Sequence, residues 1–214
     1  GSGGYEIASL LEYHKVDYLA VAFADEGVEL RRSGIQMPIM VMNPEISDFE
    51  LITRFDLEPE LYNFRILKEF LHYLKVNAIS AYPVHIKTDT GMHRLGFESP
   101  EVQDLAIYLS QGVLEPVSVF SHLAASDDEN QDVFTRLQAK KLEDFCDILE
   151  SKTGKSFFRH ILNSSGIQRF PEFQYEMVRL GIGLYGIGYG ESPALKEVST
   201  FKTRISQIRE VKSG

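Results

Sequence analysis

Seven short runs of apolar and β-branched residues, each followed by an amphipathic stretch of helical period, constrain this 214-residue chain more than any other feature. The runs fall near Asp17 to Phe23, Pro38 to Met42, Leu61 to Asn63, Ile79 to Ile86, Leu114 to Phe120, Phe158 to Leu162 and Met177 to Tyr185. Helical stretches cover Tyr5 to His14, Ala24 to Ser33, Ser47 to Phe55, Phe64 to Val76, Pro100 to Gln111 and Asn130 to Lys152. Such alternation is the signature of parallel βα units. Ser99 before Pro100 reads as an N-cap, Gly112 and Gly154 as helix ends, and Phe134, Leu137, Phe145, Ile148 and Leu149 as a buried stripe. Even spacing without a break in composition favours one TIM-type (β/α)8 barrel over two domains.

Such a barrel has eight strands in about 250 residues. Seven are expected here and the chain opens on a helix, so the expectation is a barrel lacking its first strand, with Gly1 to Gly4 as the loop after it. Thr200 to Val211 alternates apolar and polar residues like a strand leaving the barrel. The expected division is a barrel over 1–198 and the start of a β-rich C-terminal domain over 199–214.

A net charge of −9 argues against nucleic acid or an anionic membrane surface as the partner, since either asks for a basic patch. Local cations therefore read as ligand sites. No apolar run reaches the roughly 18 residues of a membrane span. The single cysteine, Cys146, lies in a helical pattern and points to a reducing, cytoplasmic setting.

Barrel enzymes carry their chemistry at the C-terminal ends of strands. Here those ends hold His85 to Gly96, Ser121-His122, Asn163-Ser164-Ser165-Gly166 and Arg179-Leu180-Gly181-Ile182-Gly183. Alternation puts His85, Lys87 and Asp89 on one face, and Gly91 and Gly96 permit turns where backbone approaches a ligand. Asn163 to Gly166 opens a short helix whose free amides suit a phosphate, and Gly181 and Ile182 offer further backbone donors. Plainer readings stay open: an ordinary turn at Asn163 to Gly166, a backbone-satisfying His122, an Arg179 paired with Glu172 or Glu176, and a Lys87–Asp89 pair. A metal site from His85, Asp89 and His122 lacks supporting ligand spacing such as HxxxH.

His85 to Gly96, Ser121 to Asp128, Asn163-Ser164 and Val178 to Gly186, in that order and spacing, resemble the alanine racemases over essentially the whole chain. Leu180 stands where that family usually has proline. The resemblance implies pyridoxal 5'-phosphate on a barrel followed by a β domain, in a homodimer that interconverts L- and D-alanine for the bacterial cell wall. It implies that Arg94 contacts the cofactor's phenolic oxygen and the substrate carboxylate, and that Lys87 carries a carbamate orienting Arg94. By the same likeness His122 packs beside the pyridine ring, Ser164, Gly181 and Ile182 hold the phosphate, Asn163 supports their loop, and Arg179 bonds the pyridine nitrogen. The family's Schiff-base lysine would precede Gly1 and its tyrosine base would come from the partner subunit, so this chain alone is expected to be inactive. Three other relatives fit parts of the pattern. They are a non-catalytic pyridoxal phosphate homeostasis barrel, a barrel-type decarboxylase with an acidic residue at the position of Arg179, and a racemase-like domain fused to a cell-wall ligase.

Overall fold

A strand with one face toward helices and the other toward a barrel lumen must alternate two kinds of side chain. The strands of the structure do so. The computed structural model describes residues 3–190, 195–198, 200 and 202–211. In it β1 (Leu19–Val21), β2 (Ile39–Val41), β3 (Glu58–Leu61), β4 (Tyr82–Lys87), β5 (Leu114–Phe120) and β6 (Phe158–His160) lie side by side in chain order, every neighbour parallel. Ile39, Val41, Leu61, Val84, Ile86 and Val119 point outward into one core shared with the helices. Met40, Glu60, His85, Lys87, Ser118, Phe120 and His160 are buried but stand apart from that core, on the inner face. The architecture is an incomplete TIM-type α/β barrel, a curled sheet backed by α1 (Gly4–Tyr13), α2 (Ala24–Arg32), α3 (Phe49–Arg54), α4 (Phe64–Val76), α5 (Val102–Leu109), α6 (Asp132–Thr153) and α7 (Ser164–Arg169).

Helix α4 shows how the outer layer forms. Asn63 accepts a hydrogen bond from the Ile66 amide at 2.9 Å, which caps the first turn. Ile66, Leu67, Phe70, Leu71 and Leu74 then repeat at helical spacing and are buried against the sheet. Helix α6 departs from its expected stripe. Its buried line is Thr135, Gln138, Ala139, Leu142, Phe145, Cys146 and Leu149, whereas Leu137 and Ile148 are exposed and Phe134 is half-buried. The reason is that Thr135 and Gln138 take inner positions in the first half, so apolarity alone misplaces the stripe there. The helix stops at Gly154, which adopts a left-handed conformation with φ of 66°.

Strand β5 contains an irregularity that sets the lumen. Val84 pairs with Pro116, but the next residue, His85, pairs with Ser118. Val117 is therefore an extra, bulged residue. Pro116 has no amide hydrogen for a ladder, and the ladder to β6 begins only at Ser118. From there Ser118 and Phe120 face inward and Val119 outward.

The seventh expected strand, Met177 to Tyr185, is not one. Residues 177–181 form no ladder and Ile182–Tyr185 is a 3-10 turn. One sheet-like bond is made, from the Arg179 amide to the Leu162 carbonyl at 3.0 Å. Beyond it Gly181 and Gly183 accept from Leu184 and Gly186 and bend the chain, as glycines poorly suited to a strand allow. The third strand begins at Glu58, earlier than its apolar residues indicate. Residues 200 and 202–211 carry no regular structure and are exposed, because among the described residues no strand runs beside them. Gly1 and Ser2 lie outside the described residues.

The loop after β4 is closed on itself. The Asp89 amide bonds the Phe97 carbonyl at 2.9 Å and the Phe97 amide bonds the Lys87 carbonyl at 2.8 Å. Gly96 sits in this pinch with φ of +133°, and a Cβ there would fall 2.4 Å from the Asp89 nitrogen. Gly96→Ala is expected to lower the urea-unfolding free energy by more than about 2 kcal/mol. A variant as stable as the parent would show that the pinch opens at little cost.

Candidate functional site

The inner face of the sheet carries charge and imidazole, and one chain of hydrogen bonds crosses four strands. Tyr18 Oη donates to Glu58 at 3.1 Å, and the same Glu58 oxygen lies 2.9 Å from His85 Nε2. His85 Nδ1 is 2.7 Å from Ser118 Oγ, which in turn is 2.9 Å from His160 Nε2. His160 Nδ1 receives a hydrogen bond from Arg179. Because a guanidinium only donates, the proton positions follow. His160 accepts at Nδ1 and donates from Nε2 to Ser118, Ser118 donates to His85 Nδ1, and His85 donates from Nε2 to Glu58. Burial and the positive charge of Arg179 push His160 well below its usual range, so it stays neutral as this pattern requires. Burial and the neighbouring Glu58 likewise raise the Tyr18 hydroxyl, which remains a donor.

Arg179 is the end of that relay and the centre of the strand-end ring. It donates to the Ser121 carbonyl at 2.6 Å, and its guanidinium lies 5.0 Å from the centre of the Phe120 ring. Phe120 stacks on His160 at 4.6 Å with planes 6° apart. Burial lowers Arg179 to about 10, with Glu60 pulling the other way, so it stays charged at neutral pH. Glu172 pairs with Arg136 and Glu176 accepts from the Arg159 amide; neither engages Arg179. His122 Nδ1 lies 3.4 Å from Arg179. Burial first, then Arg179, Arg94 and Lys87, push the His122 imidazole down to about 4.

Beside Arg179 two backbone donors converge on one oxygen. The amides of Gly181 and Gly183 each lie 3.1 Å from Ser164 Oγ. Asn163 supports this corner, its Oδ1 accepting from Gly166 N at 2.9 Å and from Ser126 Oγ at 2.7 Å. Ile182, between these two glycines, is exposed at the start of the 3-10 turn.

Lys87 is buried and its Nζ lies 3.1 Å from Glu60 rather than beside Asp89. Asp89 accepts instead from the amides of Gly91 at 2.8 Å and His93 at 3.1 Å, tightening the loop that carries exposed Arg94. His85 is held by Glu58 and Ser118, so it does not converge with Asp89 and His122. Among the described residues no group of three or more His, Cys, Asp or Glu could hold a metal ion. No helix there is long and apolar enough to cross a membrane.

Five residues of this site escape a reading by motif: Glu58, Glu60, Ser118, Gln138 and His160. Gln138 Nε2 donates to the His122 carbonyl at 3.1 Å and to Thr90 at 3.3 Å, and its Oε1 accepts from the Ala124 amide at 3.0 Å. It thereby clamps the loops after β4 and β5. A usable signal for Glu58 and Glu60 is their spacing of two, matched by His85 and Lys87 on the adjoining strand.

Fold and site together define a barrel whose strand ends carry cationic side chains and two backbone amides that converge on one serine. The alanine racemase N-terminal domain model matches residues 1–188, and the chain belongs to the alanine racemase family. It is 34% identical to alanine racemase 1 of Clostridium acetobutylicum over all of this chain and 57% of that protein. Its fold is similar to alanine racemase of Clostridium difficile 630, with TM-score 0.82, 31% identity, and coverage of 91% of this chain and 50% of that one. The same racemase in complex with cycloserine gives TM-score 0.82 at 33% identity, over 91% of this chain and 53% of that one. The chain thus spans a little over half the length of the curated relative.

Two measurements check this geometry. Ser118→Ala would leave two buried imidazole nitrogens unpaired and is expected to cost about 1–3 kcal/mol in urea unfolding; a neutral result would break the assigned relay. His122 is neutral when folded but titrates near 6.5 when unfolded, so its contribution is present above pH 6.5 and is lost as pH falls toward 4. The loss is on the order of 3 kcal/mol at about 1.4 kcal/mol per unit. His122→Gln should flatten the stability profile between pH 6.5 and 4 relative to the parent, and an unchanged slope would contradict the burial of that ring.

Proposed function

We propose that these residues form the cofactor-holding half of a pyridoxal 5'-phosphate enzyme that interconverts L- and D-alanine. The reading extends to a homodimer in the cytoplasm that supplies D-alanine for peptidoglycan. In it residues 1–198 make the barrel and 199–214 lead into a second unit. The observation that carries it is the convergence of two backbone amides on Ser164 in the segment that follows the half-buried, charged Arg179. That corner fits a phosphate with a pyridine ring beside it.

When bound, the cofactor would supply an electron-accepting ring that loosens the proton on the alpha carbon of an amino acid. Ser164 and the amides of Gly181, Ile182 and Gly183 would bind the phosphate, and Asn163 keeps their corner in shape. Arg179 would present an N–H to the ring nitrogen. A guanidinium with a pKa of about 10 holds its proton at neutral pH, so it would leave that nitrogen unprotonated and the ring a weak electron sink. A weak sink favours return of the alpha proton over decarboxylation or transamination. His122, neutral and fixed beside Arg179, would pack against the ring. Arg94, exposed on the loop after β4, would take the substrate carboxylate in a bidentate pair.

The test is an absorbance titration of the 214-residue chain with pyridoxal 5'-phosphate, then borohydride reduction and peptide mass mapping. Saturable binding that inorganic phosphate competes away, with no adduct on Lys87 and no alanine racemisation by the purified chain, is the expected outcome. A stoichiometric adduct on Lys87 would make this a self-contained cofactor protein of another kind. A folded chain that binds nothing would remove the cofactor reading.

A further inference from the structure

Glu60 and its neighbour Lys87 are lumen charges that neither the relay nor the phosphate corner uses. Glu60 is wholly buried on the inner face of β3, and neither carboxylate oxygen has an aligned hydrogen-bond donor among the described residues. Lys87 Nζ lies 3.1 Å from Oε1, close enough to pair by charge but off the line of a hydrogen bond. The register sets this contact: Glu60 stands opposite His85, so the next inward residue of β4, Lys87, lies diagonally across the strand gap. Burial pushes the Glu60 carboxyl up and Lys87, Arg179 and Arg94 pull it back toward the charged form, and burial wins, leaving it at about 7. One carboxylate thus sits in the field of three cations.

We propose that Glu60 is the built-in anion of this site, and that Lys87 beside it works as a free ammonium and is not carbamylated. The inference rests on the placement of Lys87, Arg94 and Arg179 in one site, as read above. Carbamylation would bond the Lys87 nitrogen to the carbon of carbon dioxide and release two protons from the ammonium. A cation would become an anion beside a carboxylate that burial already disfavours, and Glu60 would lose the charge nearest to it. In its ionised form the carboxylate supplies what a carbamate would, a negative charge beside Lys87 and within the field of Arg179 and Arg94.

The experiment is carbon NMR of the full chain in isotope-labelled bicarbonate, comparing the parent with Glu60→Gln. The parent should show no protein-bound carbamate carbonyl, and Glu60→Gln should gain one that disappears when Lys87→Gln is added. A carbamate in the parent that Lys87→Gln removes would overturn the proposal. So would its absence from both chains, because Glu60 would then not be what excludes it. Should Glu60→Gln fail to fold, Glu60→Thr, smaller and equally neutral, is read in the same way. Neither signal depends on cofactor binding or racemisation, so failure of the racemase reading would remain separately visible.

Discussion

The inner faces of β3 to β6 bring Glu60, His85, Lys87, Ser118 and His160, with the partly exposed Glu58, into a largely solvent-free space, and the structure depends on pairing them. A buried polar group without a partner costs as much as several good contacts return. Five of the six solve this by a run of single-proton bonds that ends on Arg179 or by a close charge contact. Glu60 is the exception, satisfied by charge but not by direction. The lumen thereby fixes where the guanidinium stands, while the outer layer of Leu, Ile, Val and Phe supplies the burial that holds the sheet together.

The two layers meet in the loops. Gln138 occupies a core position of α6 that a leucine would fill more favourably, and its amide ties the turns after β4 and β5 to the helix. Thr90 and Ser121 join those turns directly, with Oγ atoms 2.8 Å apart. Loops bearing polar residues at a barrel mouth tend to be mobile. Here the helix that backs the sheet also restrains the groups above it, so packing and site geometry are coupled through one side chain.

Much of this was legible in the residues. Helix α4 matches its pattern end to end because cap, stripe and length agree, and β5 matches because its apolar run is long. The third strand begins before its apolar residues because Glu58 and Glu60 have the character of surface residues unless the lumen is allowed to be charged. Met177 to Tyr185 has the hydrophobicity of a strand, but its glycines turn the chain, and a ladder needs neighbours that composition does not report. Of the motif residues, Ser164 and Gly181 meet in one hydrogen bond, two residues beyond Arg179. The supports of Arg179, which are Ser118 and His160, carry no motif, and what makes them matter is register across strands.

Register also decides how this chain tolerates changes in length. Val117 is a spare rung: the ladder to β4 passes from Pro116 to Ser118 without it. A lineage that lost this codon would keep Ser118 opposite His85, with a straighter strand. Loss of the Ser118 codon would instead put a valine, Val117 or Val119, opposite His85 and present it to the imidazoles. Gaps between related sequences should therefore be read differently at Val117 and at Ser118.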